Sequence, residues 1–131
     1  MPLRVGIDLV DVDAVSESLD THGEQYLARV YTDRELDACR SATGIAVERL
    51  AARFAAKEAA MKVLRPSSQD AIPWPSIEVL SAAGGWVSLE LGGAAAELAE
   101  QAGIEELQLS ITHEGAQACA VVIAELRDGC R

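Results

Sequence analysis

The chain opens on an alternation. In "RVGIDLV", Val5, Ile7 and Leu9 take turns with Gly6, Asp8 and Val10, the two-residue period of a β-strand covering roughly Arg4 to Val10. Short helical stretches follow, one announced by "TDRE", where Thr32 stands as N-cap and Glu35 at the reciprocal capping-box position. "AVERLAARFAAKEAAMKVL" is the strongest helix signal, rich in Ala, Leu, Glu, Lys and Arg and stopped by Pro66 with the Ser67-Ser68 pair. "IPWP" leads into a strand, "SIEVLSA"; a Gly-Gly turn returns the chain through "WVSLEL" as a hairpin. "GGAAAELAEQAG" reads as a helix with glycine at each boundary, and "LQLSITH" and "ACAVVIAEL" are strands joined by "EGAQ". The order strand, helices, hairpin, helix, hairpin predicts one α+β domain over residues 1–131, a mainly antiparallel sheet packed on one long helix and shorter helices.

Composition narrows the picture. A chain of 131 residues suits one domain with one core, and alanine is the commonest residue of its hydrophobic half, with aromatics at only 4%, so its elements are expected to approach closely. No apolar run reaches the roughly 18 residues that span a bilayer, and the N-terminus lacks the plan of a signal peptide, so the expected location is the cytoplasm, away from membranes. Cys39, Cys119 and Cys130 show no metal-type spacing, and Cys119 reads as a small core residue of an apolar strand. A net charge of −10 argues against nucleic acid as a partner. The cations are unevenly spread: of 11 Lys and Arg, 8 lie between Arg29 and Arg65, and none between Pro66 and Leu126. That clustering fits either a local anionic client or a solvated helix face.

Asp8 is the first residue that asks for chemistry. A carboxylate in a strand expected to be buried has to pair, protonate or bind a metal, because leaving it unpaired costs several kcal/mol, roughly. Turning the long helix at about 100° per residue gives an apolar stripe of Val47, Leu50, Phe54, Met61 and Leu64, with Glu58 and Lys62 on one flank and Arg49 and Arg53 on the other. Lys57 falls inside the stripe and needs a partner or a route to solvent. Asp8 and Glu58 are hard oxygen donors suited to Mg²⁺ with positions left for water and phosphate, Lys62 is placed to meet an anion there, and Arg53 and Arg49 suit a second phosphate. The plainer alternative is a Glu58–Lys62 helix pair and an Asp8 that caps a helix or pairs with Lys57. His113, at the end of "SITH", fits either a structural role or a phosphate or ribose contact. His22 has no evident role, and Ser110 and Thr112 belong to a half-exposed strand face. Nucleophile elbows, P-loops, dinucleotide fingerprints and cysteine zinc spacings are absent.

"GIDLVDVD", "RFAAKEAAMK" and "LSITHEGAQACAVVIAEL", together with "YTDREL" and the Gly-Gly hairpin, resemble the holo-acyl-carrier-protein synthase family, the small 4′-phosphopantetheinyl transferases. The resemblance implies that fold and transfer of the phosphopantetheine arm of coenzyme A to a serine of an acyl carrier protein, releasing adenosine 3′,5′-bisphosphate. It implies Asp8 and Glu58 as Mg²⁺ ligands, Lys62 near the diphosphate, and Arg53 and His113 at the nucleotide portion with its 3′-phosphate. Glu58, directly or through a water, would take the serine proton. A homotrimer with active sites between protomers is also implied. Three departures stand out. Arg65-Pro66-Ser67-Ser68 replaces a common Gly-Thr-Gly turn, with Arg65 or the serine hydroxyls left to compensate for the missing amide. Asp13-Ala14-Val15 is acidic where a basic carrier-binding residue is frequent, which shifts carrier recognition to Arg29, Arg34, Arg40 or a neighbour's arginines. Trp86-Val87 replaces a basic residue and proline, so that Trp86 either covers an adenine or simply packs. A non-catalytic module that binds coenzyme A or a carrier domain is the competing reading.

Overall fold

In the computed structural model, which describes residues 1–130, the opening alternation forms strand β1 (Leu3–Asp11). Asp11 then caps helix α1 (Val12–His22), its carboxylate accepting from the Asp13 N–H at 3.1 Å. Gly23, at φ 54°, turns the chain into α2 (Glu24–Val30). Helix α3 (Asp33–Ala38) carries the expected capping box: Thr32 and Glu35 each satisfy the other's backbone N–H. A minimal ribbon, β2 (Arg40–Ser41) with β3 (Gly44–Ile45), leads to the long helix α4 (Val47–Leu64). The hairpin β4 (Ile77–Ser81) and β5 (Val87–Leu91), helix α5 (Gly93–Ala102) and the strands β6 (Ile104–Glu114) and β7 (Gln117–Leu126) complete the chain. The α+β expectation holds.

The three-stranded sheet has the order β1-β7-β6, all antiparallel, with β7 in the middle. Helix α4 crosses one face of it, and β4–β5 form a separate two-stranded sheet beside α4 and β6. The hydrophobic stripe on α4 is wider than its large residues suggest. Leu50 and Leu64 are buried, but Val47, Phe54 and Met61 are only half-buried, and the close contacts are made by Ala51, Ala52, Ala55, Ala56, Ala59, Ala60 and Val63. Small side chains let the sheet come near the helix axis. The extreme is Gly6: a Cβ there would collide with the Ala59 carbonyl oxygen.

That approach decides which face of β1 is inside, and it corrects the expectation of a strand buried throughout. Gly6 and Val10 are buried against α4 with Asp8 between them, whereas Leu3, Val5, Ile7 and Leu9 are 58 to 67% exposed. The register aligns Val5 with Ile123, Ile7 with Val121 and Leu9 with Cys119 on this outer face. Cys119 is therefore half-buried on the outer side; the fully buried cysteine is Cys39.

Replacing Gly6 by alanine forces β1 off α4. The expected loss, read by urea denaturation, is about 1–3 kcal/mol, as for other overpacked contacts. Alanine at Gly92, where a Cβ meets no neighbour, leaves stability nearly unchanged by the same measurement.

Candidate active site

Two residues beyond the Gly6–Ala59 contact, Asp8 points toward the C-terminal half of α4. Lys62 reaches it from one turn beyond Glu58, its Nζ donating to the Ile7 carbonyl at 2.7 Å and to Asp8 Oδ1 at 3.3 Å. Glu58 lies close enough to Asp8 for the two carboxyls to act on each other's charge. Partial burial first, and then the neighbouring Asp8 carboxylate, raise the Glu58 pKa above the usual carboxylate range, against a smaller opposing pull from Lys62. Strand and helix thus bring Asp8, Glu58 and Lys62 together, as the sequence led one to expect. Asp8 neither caps a helix nor pairs with Lys57; Asp11 is the cap and Lys62 the cation.

The group carries two carboxyls against one ammonium. Hard oxygen donors with uncompensated negative charge fit Mg²⁺, which makes do with one or two carboxylates. They do not suit a site built wholly from protein: no group of three His, Cys, Asp or Glu gathers among the described residues.

The other flank of α4 is arranged differently. Arg53 is 6% exposed, its guanidinium donating to Ser81 Oγ at 2.9 Å and to the Arg49 carbonyl at 3.3 Å, while its buried Nε has no partner among the described residues. No carboxylate lies within ion-pair distance of it among those residues, so a buried cation stands ready for an anion. Arg49 is turned away from Arg53's head group and holds the Ala38 and Arg40 carbonyls. Ser81 ends β4, and the hairpin beyond it carries Trp86, 79% exposed, so the indole is not packing. His113 is exposed at the far end of β6, in register with Ala118 and Val10, and no hydrogen bond or ion pair joins it to another described residue. It does not reach the Asp8 group within the chain.

The turn after α4 is closed upon itself. Arg65 adopts φ 53° and returns its N–H to the Met61 carbonyl; the Ser67 N–H donates to Asp70 Oδ2 at 2.8 Å, and Ser67 Oγ accepts from the Gln69 N–H. The Ser67 N–H is spent on Asp70, but the Ser67 hydroxyl only accepts and the exposed Ser68 hydroxyl has no partner among the described residues, so both can still donate to an anion. Of the arginines expected to meet a carrier, Arg34 is engaged by Glu78 and Glu90 and Arg40 by Asp37, leaving Arg29, beside His22 and Tyr26.

One ionic group escaped the sequence reading. Lys57 is fully buried and paired at 2.8 Å with Glu35, equally buried. The stripe flagged Lys57 as needing a partner, but Glu35 read only as a cap residue; the capping box uses one of its oxygens, and the remaining capacity was the missed signal.

The model of the 4′-phosphopantetheinyl transferase superfamily matches residues 4–122. A holo-[acyl-carrier-protein] synthase of Koribacter versatilis is 40% identical over 125 residues, covering 95% of this chain and 99% of the relative. One from Frankia alni is 42% identical over 122 residues, covering 92% and 95%. Among solved structures, the Chronobacterium ammoniagenes ACPS-CoA complex aligns with TM-score 0.84 at 34% identity, covering 97% of this chain and 99% of that one. The holo-[acyl-carrier-protein] synthase of Neisseria meningitidis aligns with TM-score 0.80 at 30% identity, covering 92% and 96%. With Asp8, Glu58 and Lys62 clustered where β1 crosses α4, and with relatives matched along nearly their whole length, the chain belongs to the 4′-phosphopantetheinyl transferase superfamily.

Proposed function

We propose that this chain transfers the 4′-phosphopantetheine arm of coenzyme A to a serine of an apo acyl carrier protein, with Asp8, Glu58 and Lys62 at the reacting centre. The observation that carries this reading is their convergence from elements some fifty residues apart in sequence. The serine Oγ–phosphorus bond forms at the β-phosphorus, the phosphoanhydride bond to the nucleotide breaks, and adenosine 3′,5′-bisphosphate leaves. Glu58, directly or through a water, receives the serine proton. Lys62 holds the diphosphate and offsets charge on the leaving group. Asp8 and Glu58 would hold Mg²⁺, which would supply Lewis-acid neutralisation of the diphosphate. Arg53 takes the 3′-phosphate, and the exposed Trp86 covers the adenine.

A homotrimer with sites between protomers goes with this reading. The outer face of β1 and β7 presents Leu3, Val5, Ile7, Leu9 and Ile123 to solvent, a contiguous apolar patch of the kind that marks an interface. His113 finds no partner among the described residues of its own chain, and a neighbour's nucleotide end would offer it one.

The decisive assay is mass spectrometry of an apo carrier protein incubated with coenzyme A and Mg²⁺. Addition of the phosphopantetheine mass is expected; failure with every carrier in a fatty-acid and polyketide panel would support the binding module instead. Glu58→Gln should lower kcat by about 100-fold or more. Lys62→Ala should both raise KM for coenzyme A and lower kcat, and Trp86→Ala should raise KM alone, by several-fold.

Ion binding has its own readout. In metal-free buffer Glu58→Gln is expected to be more stable than wild type at pH 7, because the folded state holds Glu58 ionised beside Asp8. The raised pKa sets the sign: wild type recovers as pH falls and the carboxyl protonates, so the gap closes toward the acid side. Saturating Mg²⁺ should raise the wild-type Tm and leave that of Asp8→Asn unmoved. For assembly, Ile7→Lys should convert a trimer in sedimentation equilibrium to a monomer. A wild type that sediments as a monomer would remove the trimer.

A further inference from the structure

Between the two functional flanks of α4 lies Lys57, which takes part in neither. Its ammonium is enclosed on every side. It pairs with Glu35 Oε1 at 2.8 Å, donates to the Trp74 carbonyl at 3.1 Å and to the Ile77 carbonyl, and lies 5.9 Å from the centre of the Tyr31 ring. Glu35 is equally committed: Oε1 also accepts from the Thr32 N–H at 2.9 Å, and Oε2 accepts from the Val79 N–H at 2.8 Å. One ion pair therefore grips α3, α4 and two successive points of β4. Burying charge in this way is a poor route to stability, since apolar side chains of similar volume serve as well or better. What apolar packing lacks is direction. A strand held at Ile77 and Val79 by fixed donors and acceptors cannot slide along the helix as one resting on methyl groups can.

The register of β4 matters because of what lies at its end. Arg53, one turn before Lys57 on α4, bonds Ser81, the last residue of β4, and the hairpin tip with Trp86 follows. Next to Lys57 on the helix is Glu58, beside Asp8. Arg53, Glu58 and Lys62 share one helix, so what the seating of β4 on α4 sets is the place of Ser81, which aims the Arg53 guanidinium, and of Trp86 beyond it.

We propose that Glu35 and Lys57 form a positioning pair that fixes the register of β4 on α4, and with it the Ser81 contact that aims the Arg53 guanidinium and the place of Trp86 at the nucleotide-holding end of a single coenzyme A molecule. The pair touches no substrate. The proposal rests on the assignment of Arg53 to the 3′-phosphate, and it makes discrimination between coenzyme A and dephospho-coenzyme A, which lacks that group, depend on two residues that never meet it.

The test compares kcat/KM for the two substrates in wild type, in Glu35→Gln/Lys57→Met, in Glu35→Asp and in Leu126→Ala. The double variant removes both charges together, avoiding a lone buried ion. Glu35→Asp keeps the charge but withdraws it by one methylene, and serves should the double variant fail to fold. Leu126→Ala is a destabilised control whose cavity lies on β7. The coenzyme A preference should fall by about tenfold or more in the double variant and by about threefold or more in Glu35→Asp, as for a sub-ångström misplacement of bound groups, and stay at the wild-type value in Leu126→Ala. All are assayed well below their own Tm. Retention of the wild-type preference in every folded pair variant would overturn the positioning role. A wild type with no preference would overturn the Arg53 assignment, and the proposal with it.

Discussion

The absence of a side chain at Gly6 is the constraint on which the rest of the structure depends. The Ala59 carbonyl oxygen occupies the space where a Cβ would stand, so β1 lies directly on α4. From that contact the period of the strand puts Asp8 one step further along the same face, and the pitch of the helix puts Glu58 and Lys62 beside it. The alanines on α4 extend the same economy of volume across β7. A larger residue at Gly6 or Ala59 would separate the carboxylates before it exposed much core. The packing that stabilises the fold and the spacing of the charged group are one set of contacts.

Charge is handled by two different physical solutions on one helix. Glu35 and Lys57 are sealed from water and mutually satisfied, with every strong donor and acceptor engaged by backbone or partner. Asp8, Glu58 and Lys62 remain open to solvent in part, with one negative charge in excess. A closed pair cannot bind anything and an open, unbalanced one is poised to. Arg53 is a third case, a buried cation facing only neutral groups. The exposed arginines behave conventionally: Arg34 and Arg40 are drawn to nearby carboxylates, so a protein of net charge −10 keeps few cations for an acidic partner.

Local signals were legible in the sequence because their causes are local. Helix α4, its stop at Leu64, the Thr32–Glu35 capping box and both long hairpins follow from residues a few positions apart. The Asp8–Glu58–Lys62 group was legible through motif and resemblance. What could not be read was which face of β1 is inside. Val5, Ile7 and Leu9 form the more hydrophobic face, yet Gly6, Asp8 and Val10 are the ones turned to α4. Alternation reports that two faces differ, and hydrophobicity alone does not say which is inside, because an interface looks like a core to a single strand. The partner of Lys57 was hidden for a related reason: Glu35 already had a local role, and its second lies across 22 residues of chain.

The outer sheet face is what the proposed trimer would cover. A helix and a three-stranded sheet make two layers with one core between them, and the sheet's far side needs a cover if it is apolar. Among the described elements none lies over it: α1, α4 and α5 pack elsewhere, and β4–β5 stand beside β6. The face is also graded. Its β1 side carries Leu3, Val5, Ile7 and Leu9, while its β6 side carries Gln108, Ser110 and Thr112, and Glu106 lies opposite Glu125 near one end, raising the Glu125 pKa. An apolar stripe bounded by polar residues is the profile of an interface centre and its rim. In the proposed trimer, second and third copies of the chain, each offering the same stripe, would satisfy that profile and carry His113 across to a neighbour. Small size would then be no handicap to building a cleft as long as coenzyme A, because each cleft would need only part of its wall from any one chain.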